Sequence, residues 1–305
     1  MGFELTILGA NSAKPAYGRN QTAQILVIQN IHFLIDCGEG TQLLLQKYHP
    51  KTSQIEHIFI SHLHGDHYFG LIGLLSTMHL GRRVKPLSIY GPPELADIIT
   101  LQLKAANTTL SYPVEFHKLT MDKAVQIFEN EKVTIETIPL SHKIPCNGFL
   151  FKEKQKPRRI DKEKLPESFS LADRIALKNG EDILDDKGNI KFYNKEYTLP
   201  PRKSRSYAYC TDTKYKEDII DQISGVDLLY HEATFLNDRE TRAAETFHCT
   251  TEQAATIAKK AKVEKLIIGH YSSRYKDLGD FHSQAKAVFE NTILAIEGEV
   301  TKVVD

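Results

Sequence analysis

The chain has 305 residues, 41% of them apolar and 26% charged, with 39 basic and 39 acidic side chains. That length leaves ample room for a buried core, in one large domain or two small ones. No stretch approaches the ~18 unbroken apolar residues of a membrane-spanning helix, and a net charge of zero argues against a molecule coated in positive charge. Local charge clusters still decide whether nucleic acid binds.

In chain order, Phe3 to Leu8 alternates apolar and polar residues and predicts a strand, followed by a Gly- and Pro-marked loop from Gly9 to Asn20. Gln24 to Ile28 and His32 to Asp36 predict two strands joined by a hairpin turn at Gln29-Asn30. Helices are expected from Thr41 to Tyr48, from Tyr68 to Leu80 and from Pro93 to Ala106, with strands at Ile55 to Ile60 and Leu87 to Tyr90. Further strands are expected at 114–116, 125–128, 133–138, 206–211, 226–230 and 265–269. Two more helices are expected, near 251–262 and 283–296, before a short C-terminal strand. Strands and helices alternate in two similar halves, which predicts an α/β sandwich.

One stretch carries most of the chemistry. The apolar run ending at Ile60 leads at once into Ser61-His62-Leu63-His64-Gly65-Asp66-His67. His62 and His64 are two apart, so an extended loop points both imidazoles to one side. Asp66 and His67 can swing toward the same point as the chain turns into a helix. Imidazole nitrogen with carboxylate oxygen is a donor set suited to zinc, iron or manganese. Elsewhere the arrangement repeats: Asp36, His142, Asp212 and His270 each stand just beyond a short apolar strand. Together these residues form a ligand set able to hold two ions.

Residues 152–205 differ in composition. Lys152 to Lys164 holds seven basic and three acidic residues, and Pro200 to Arg205 is basic and proline-marked. An inserted, partly mobile basic arm is expected, with a short helix at Leu171 to Lys178. Four cysteines, Cys37, Cys146, Cys210 and Cys249, form no Cys-x-x-Cys pair. They read as reduced, buried thiols of a cytoplasmic protein, with a ligand thiolate as the sharper alternative. His32, His49, His57, His79, His117 and His282 lack ligand spacing and are expected to be ordinary surface or core histidines.

The ordered set His62-x-His64-x-Asp66-His67, His142, Asp212 and His270 resembles the metallo-β-lactamase superfamily, whose fold is an αβ/βα sandwich with metals at the strand ends. Within it, several strings resemble the ribonuclease Z family, endonucleases that trim the 3′ end of precursor tRNA. These are Ile35-Asp36-Cys37-Gly38-Glu39-Gly40-Thr41, Thr211-Asp212-Thr213, His231-Glu232-Ala233-Thr234, His248-Cys249-Thr250 and Gly269-His270-Tyr271-Ser272. The resemblance covers essentially all of 1–305 and places that family's tRNA-gripping exosite arm at 152–205.

It implies two zinc ions per subunit, one held by His62, His64 and His142, the other by Asp66, His67 and His270, with Asp212 bridging; manganese suits the donors nearly as well. It further implies that Asp36 orients a ligand imidazole and that Asp66 also accepts a proton from the attacking water. His248 would serve the leaving 3′ oxygen, with Glu232 orienting it. The products would be a tRNA 3′-hydroxyl and a 5′-phosphate trailer. Arg19, Asn20, Lys152, Lys154, Lys156, Arg158 and Arg159 would contact the precursor tRNA, and the family's homodimer would let one subunit's arm serve the other.

Two strings depart from the family pattern. The early loop commonly reads Pro-x-Lys-x-Arg-Asn, and here Tyr17 stands in the lysine's place within Pro15-Ala16-Tyr17-Gly18-Arg19-Asn20. The Gly-Pro pair of the bacterial arm tip is replaced by Leu171-Ala172-Asp173-Arg174. Two other function classes share the ligand set: a phosphodiesterase- or arylsulfatase-like hydrolase of small esters, and a non-catalytic binder of RNA or protein.

Overall fold

The structure, a computed structural model, describes residues 2–48 and 52–304; His49 lies outside that set. Among the described residues, two seven-stranded sheets face each other. The first runs, in spatial order, Val300–Lys302, Phe3–Gly9, Ala23–Ile28, Ile31–Ile35, Ile55–Phe59, Leu87–Gly91, Val114–Lys118. The second runs Thr292–Leu294, Leu266–Gly269, Leu228–Glu232, Ser206–Cys210, Cys146–Glu153, Val133–Leu140, Gln126–Glu129. Alternation in Phe3–Gly9 turns Phe3, Leu5 and Ile7 into one core between the sheets. Aromatic rings interlock there, Phe59 lying 5.3 Å from Phe149 and Phe33 lying 5.5 Å from Phe151. Helices cover the outer faces, so the molecule is an αβ/βα sandwich.

Most expected elements are present, and the differences have physical causes. Gln29 and Asn30 sit at φ 48° and 68°, the left-handed pair that a tight hairpin needs. The helix expected from Tyr68 is two pieces, Gly65–Tyr68 and Leu71–Leu80. They break at Gly70, where a Cβ would lie 2.1 Å from the Gly38 carbonyl oxygen. Asp66 and His67 therefore project from a helical turn, not a loop. The helix expected at 283–296 instead spans Gly279–Val288, and Thr292–Leu294 is a strand parallel to Leu266–Gly269. Val226 precedes its strand, which runs on through His231 and Glu232.

The strand Cys146–Glu153 is absent from the sequence reading, and it takes in Lys152 and Glu153. The arm thus begins at 154 and ends at 204, its two ends joined by a 2.9 Å hydrogen bond from Glu153 N to Arg205 O. It carries a small core of its own, with Phe169, Leu177 and Ile183 packed on Leu165, Phe192 and Tyr197. Leu171-Ala172-Asp173-Arg174 is the first turn of the helix Leu171–Asn179, capped by reciprocal Ser170–Asp173 hydrogen bonds and closed by Gly180 at φ 91°.

At the arm's root the buried Glu153 carboxylate accepts from Arg205 Nε and Nη2, both at 2.8 Å, and from Gln29 at 2.9 Å. Burial works against its charge, but Arg205 and Lys156 outweigh this and push its pKa down from 4.5 to about 2. Because the folded pKa is depressed, its stabilisation is present above about pH 4.5 and lost as pH falls toward 2. Acid unfolding of wild type should therefore show a component in that window that Glu153→Gln lacks, and identical acid titrations would refute it.

Candidate metal centre

The site lies beyond the carboxyl ends of parallel strands in both sheets, where open α/β sheets place their ligands. Asp36 follows Ile31–Ile35, and His62, His64, Asp66 and His67 follow Ile55–Phe59. Asp212 and His270 follow Ser206–Cys210 and Leu266–Gly269, and Glu232 ends the strand between them. His142 follows Val133–Leu140.

Asp212 stands at the middle. Its Oδ1 lies 3.1 Å from His270 Nε2 and 3.4 Å from His67 Nε2; its Oδ2 lies 3.5 Å from His142 Nε2 and 3.7 Å from His62 Nε2. His64 Nδ1 is 3.1 Å from both His62 Nε2 and His142 Nε2. Asp66 Oδ2 is 3.5 Å from His67 Nε2 and from His270 Nε2. Among the described residues three overlapping donor groups result: His62, His64 and His142 with Asp212; Asp66, His67 and His270; and Asp212 and His270 with His248.

These groups fit divalent cations on three grounds. His67 Nε2 and His270 Nε2 are buried with no hydrogen-bond partner. Burial lowers the pKa of His62, His64 and His142, keeping them as neutral donors. Burial likewise disfavours charge on His67, yet Asp212, Asp66 and Asp36 overcome it and raise its pKa, so positive charge is favoured at the centre. Among the described residues no cysteine falls in these donor groups; Cys249 Sγ donates to the Thr213 carbonyl, and Cys146 Sγ lies 3.6 Å from His62 Nδ1, behind the ligand ring.

Behind the ligands, two buried carboxylates aim the imidazoles by the same device. Asp36 Oδ2 accepts from His67 Nδ1 at 2.8 Å and from the Ser61 hydroxyl at 2.9 Å; the Ser61 oxygen in turn accepts from His62 Nδ1 at 3.0 Å. Glu232 Oε1 accepts from His248 Nδ1 at 2.9 Å, while its Oε2 accepts from the Thr234 hydroxyl at 2.8 Å, whose oxygen accepts from His270 Nδ1 at 2.9 Å. Each carboxylate holds one ring directly and one through a hydroxyl, turning the Nε2 atoms inward. His142 Nδ1 donates to the Phe247 carbonyl at 3.0 Å, with Phe247 in the left-handed region at φ 61°.

Sequence reasoning missed Ser61 and Thr234 as relays, though both stand inside the strings that drew attention. It also missed Tyr209, whose buried hydroxyl reaches from the second sheet to donate to Asp36 at 2.6 Å. Tyr209→Phe keeps the packing and removes one of the bonds that hold Asp36. Its affinity for the metal bound by His67 should fall by up to the ~10–100-fold seen for outer partners of metal ligands. Competition with a chelator checks this, and unchanged affinity would remove Tyr209 from the account.

The residues expected to contact tRNA fall in two regions. Arg19 is spent on the early loop, with Nε donating to Asn11 Oδ1 at 3.0 Å and the other nitrogens to the Lys276 and Tyr275 carbonyls. Asn20 is held by Glu297. These bonds fasten the loop whose Ala13 N donates to Asp66 Oδ2 at 2.7 Å. Lys152 pairs with Glu136 on the core sheet. Lys154, Lys156, Arg158 and Arg159 line a basic cavity of about 580 Å³ at the arm's root, with Lys132, Lys178 and Arg202. Tyr17 is 55% exposed, beneath the Arg19 guanidinium.

The family model described as Beta-lactamase superfamily domain matches residues 197–271, and the model described as Anti-Pycsar protein Apyc1 matches residues 3–160. The metallo-β-lactamase fold protein YhfI from Bacillus subtilis superposes with a TM-score of 0.69 over 99% of this chain and 100% of that one, at 20% identity. Fold and site thus define a member of the metallo-β-lactamase superfamily. Ribonuclease Z of Cytophaga hutchinsonii is 51% identical over 98% of this chain and 95% of its own length. Ribonuclease Z of Bacteroides fragilis is 45% identical over 97% of each. The short form of human tRNase Z superposes with a TM-score of 0.73, at 26% identity, over 99% of this chain and 100% of that one. The chain belongs to the ribonuclease Z family.

Proposed function

We infer that this chain is a metal-dependent endoribonuclease that removes the 3′ trailer from precursor tRNA. The observation that carries the reading is whole-length kinship to Ribonuclease Z at 51% identity. His62, His64 and His142 would hold one zinc ion, and Asp66, His67 and His270 a second, with Asp212 shared. Two such ions supply charge stabilisation for an in-line displacement at phosphorus and a water of lowered pKa. Asp66 Oδ2, already accepting from Ala13 N, keeps Oδ1 to take the proton of the attacking water. His248 donates Nδ1–H to Glu232, which leaves Nε2 to protonate the departing 3′ oxygen. The P–O3′ bond breaks, the tRNA keeps a 3′-hydroxyl, and the phosphate stays on the trailer.

The arm supports a tRNA substrate over a small ester, because a folded module with its own core and a basic cavity has no use in hydrolysing a small ester. A precursor tRNA with a 3′ trailer should be cut once, at the discriminator nucleotide. Since the arm's ends meet at Glu153 and Arg205, residues 155–203 can be replaced by a two-residue turn. That variant should lose precursor cleavage while still hydrolysing bis-(p-nitrophenyl) phosphate, and precursor affinity of wild type should fall steeply with salt. Full precursor cleavage without the arm would refute its role; hydrolysis of the small ester alone by wild type would refute the function. The family resemblance further supports a cytoplasmic homodimer with two zinc ions per subunit, to be checked by fractionation, sedimentation velocity and metal analysis.

A further inference from the structure

The cavity over the metal centre, about 490 Å³, is lined by Asp66, His64 and His248, and also by Phe69. Phe69 is 58% exposed, a large aromatic ring left in water at the mouth of a polar site. It is held in place. A Cβ on Gly65 would come within 2.2 Å of Phe69 Cε2, so the ring lies directly on the glycine backbone. Tyr68 meets it edge-on at 5.0 Å. The ring caps the same helical turn that carries Asp66 and His67, so its position relative to the metal donors is set by one short piece of backbone. Lys143, beside His142, also lines the cavity, and its ammonium has no partner among the described residues.

We propose that Phe69 is a stacking platform for the base of a nucleotide next to the scissile phosphate, and so a residue that selects nucleic acid over simple phosphodiesters. The inference rests on the endonuclease reading and deepens it. A fixed aromatic face costs a ligand little ordering, and every base has a π-face, so the platform reads the presence of an unpaired base and not its identity. Phe69 lines one cavity with the donors Asp66 and His64, so a phosphate at the donors leaves a neighbouring base beside Phe69, and Lys143 supplies charge for the next phosphate. The anchored Arg19 and Asn20 do not compete for that role.

The test compares precursor tRNAs carrying either a normal base or an abasic site, placed at the discriminator nucleotide or at the first trailer nucleotide. Wild type should cut one of the abasic RNAs roughly 5- to 150-fold more slowly than the intact RNA, the range for base–aromatic stacking. Phe69→Ala should lose that same factor on intact RNA and lose nothing further on the abasic one. Phe69→Leu, which keeps an apolar side chain over Gly65, should behave like Phe69→Ala, and Phe69→Trp should restore the preference. A merely structural role would slow intact and abasic RNA alike. Equal losses on both RNAs, or a wild-type rate for Phe69→Ala on intact RNA, would overturn the proposal while leaving the endonuclease standing. If wild type cuts no precursor at all, the endonuclease reading itself fails.

Discussion

Asp212→Ala is expected to cost the protein both of the proposed ions and to lower precursor cleavage by on the order of 10³-fold or more, the loss of several kcal/mol of charge stabilisation. Geometry is the reason. Oδ1 faces His67 and His270 while Oδ2 faces His62 and His142, so one carboxylate completes both donor groups. Burial opposes its charge, but the surrounding imidazoles, His270 and His67 first, hold its pKa well below the usual carboxylate range. Asp212→Asn keeps the shape and removes the charge that two cations need, so it should fare nearly as badly. Metal analysis after gel filtration, beside turnover of a precursor tRNA, is the measurement. Retention of two equivalents of metal by Asp212→Ala would show that the carboxylate is not shared.

His248→Ala should lower turnover ~10²–10⁴-fold, the usual contribution of a positioned proton donor, while leaving metal content unchanged. The two readouts together separate it from Asp212→Ala. Burial disfavours the His248 imidazolium, but Glu232, with Asp212 and Asp66 behind it, raises its pKa to about 9. The donor works only while it carries its proton, so turnover falls as pH rises through the His248 pKa of the loaded site, which bound cations shift downward. Glu232→Gln removes the carboxylate that favours the proton, and the alkaline limb should move to lower pH. The same substitution loosens Thr234 and through it His270, so a modest loss of metal affinity should accompany the shift. In His248→Ala the alkaline limb should vanish. An unchanged pH profile in Glu232→Gln would break the assigned pair.

Much of the site was legible because its pieces are local. A buried strand reads as an apolar run, and the residue just past its end must turn toward the sheet's edge. His62, His64, Asp66 and His67 therefore announce a donor cluster within six positions, and Asp36, His142, Asp212 and His270 repeat the pattern. The hairpin at Gln29-Asn30 is local in the same sense. Other elements gave no such signal. Cys146–Glu153 is buried over almost its whole length, so it lacks the alternation that marks a half-exposed strand, and its last two residues carry charge like the arm beyond. Only pairing with Val133–Leu140 and Ser206–Cys210 reveals it.

By itself, then, the sequence determined the kind of protein: most of its strands, the donor residues beyond their ends and the basic character of the insertion. The tertiary structure decided which atoms meet. That Asp212 divides its two oxygens between four imidazoles depends on two sheets closing face to face. So does the Tyr209 hydroxyl that crosses from one sheet to an aspartate on the other. Arg19, a basic residue in a loop near the site, also ties that loop because carbonyls from residues 275 and 276 stand within its reach. Spacing along a chain specifies which way neighbouring side chains point. Contacts between residues a hundred or more positions apart depend on how the sheets pack, and no local periodicity records that.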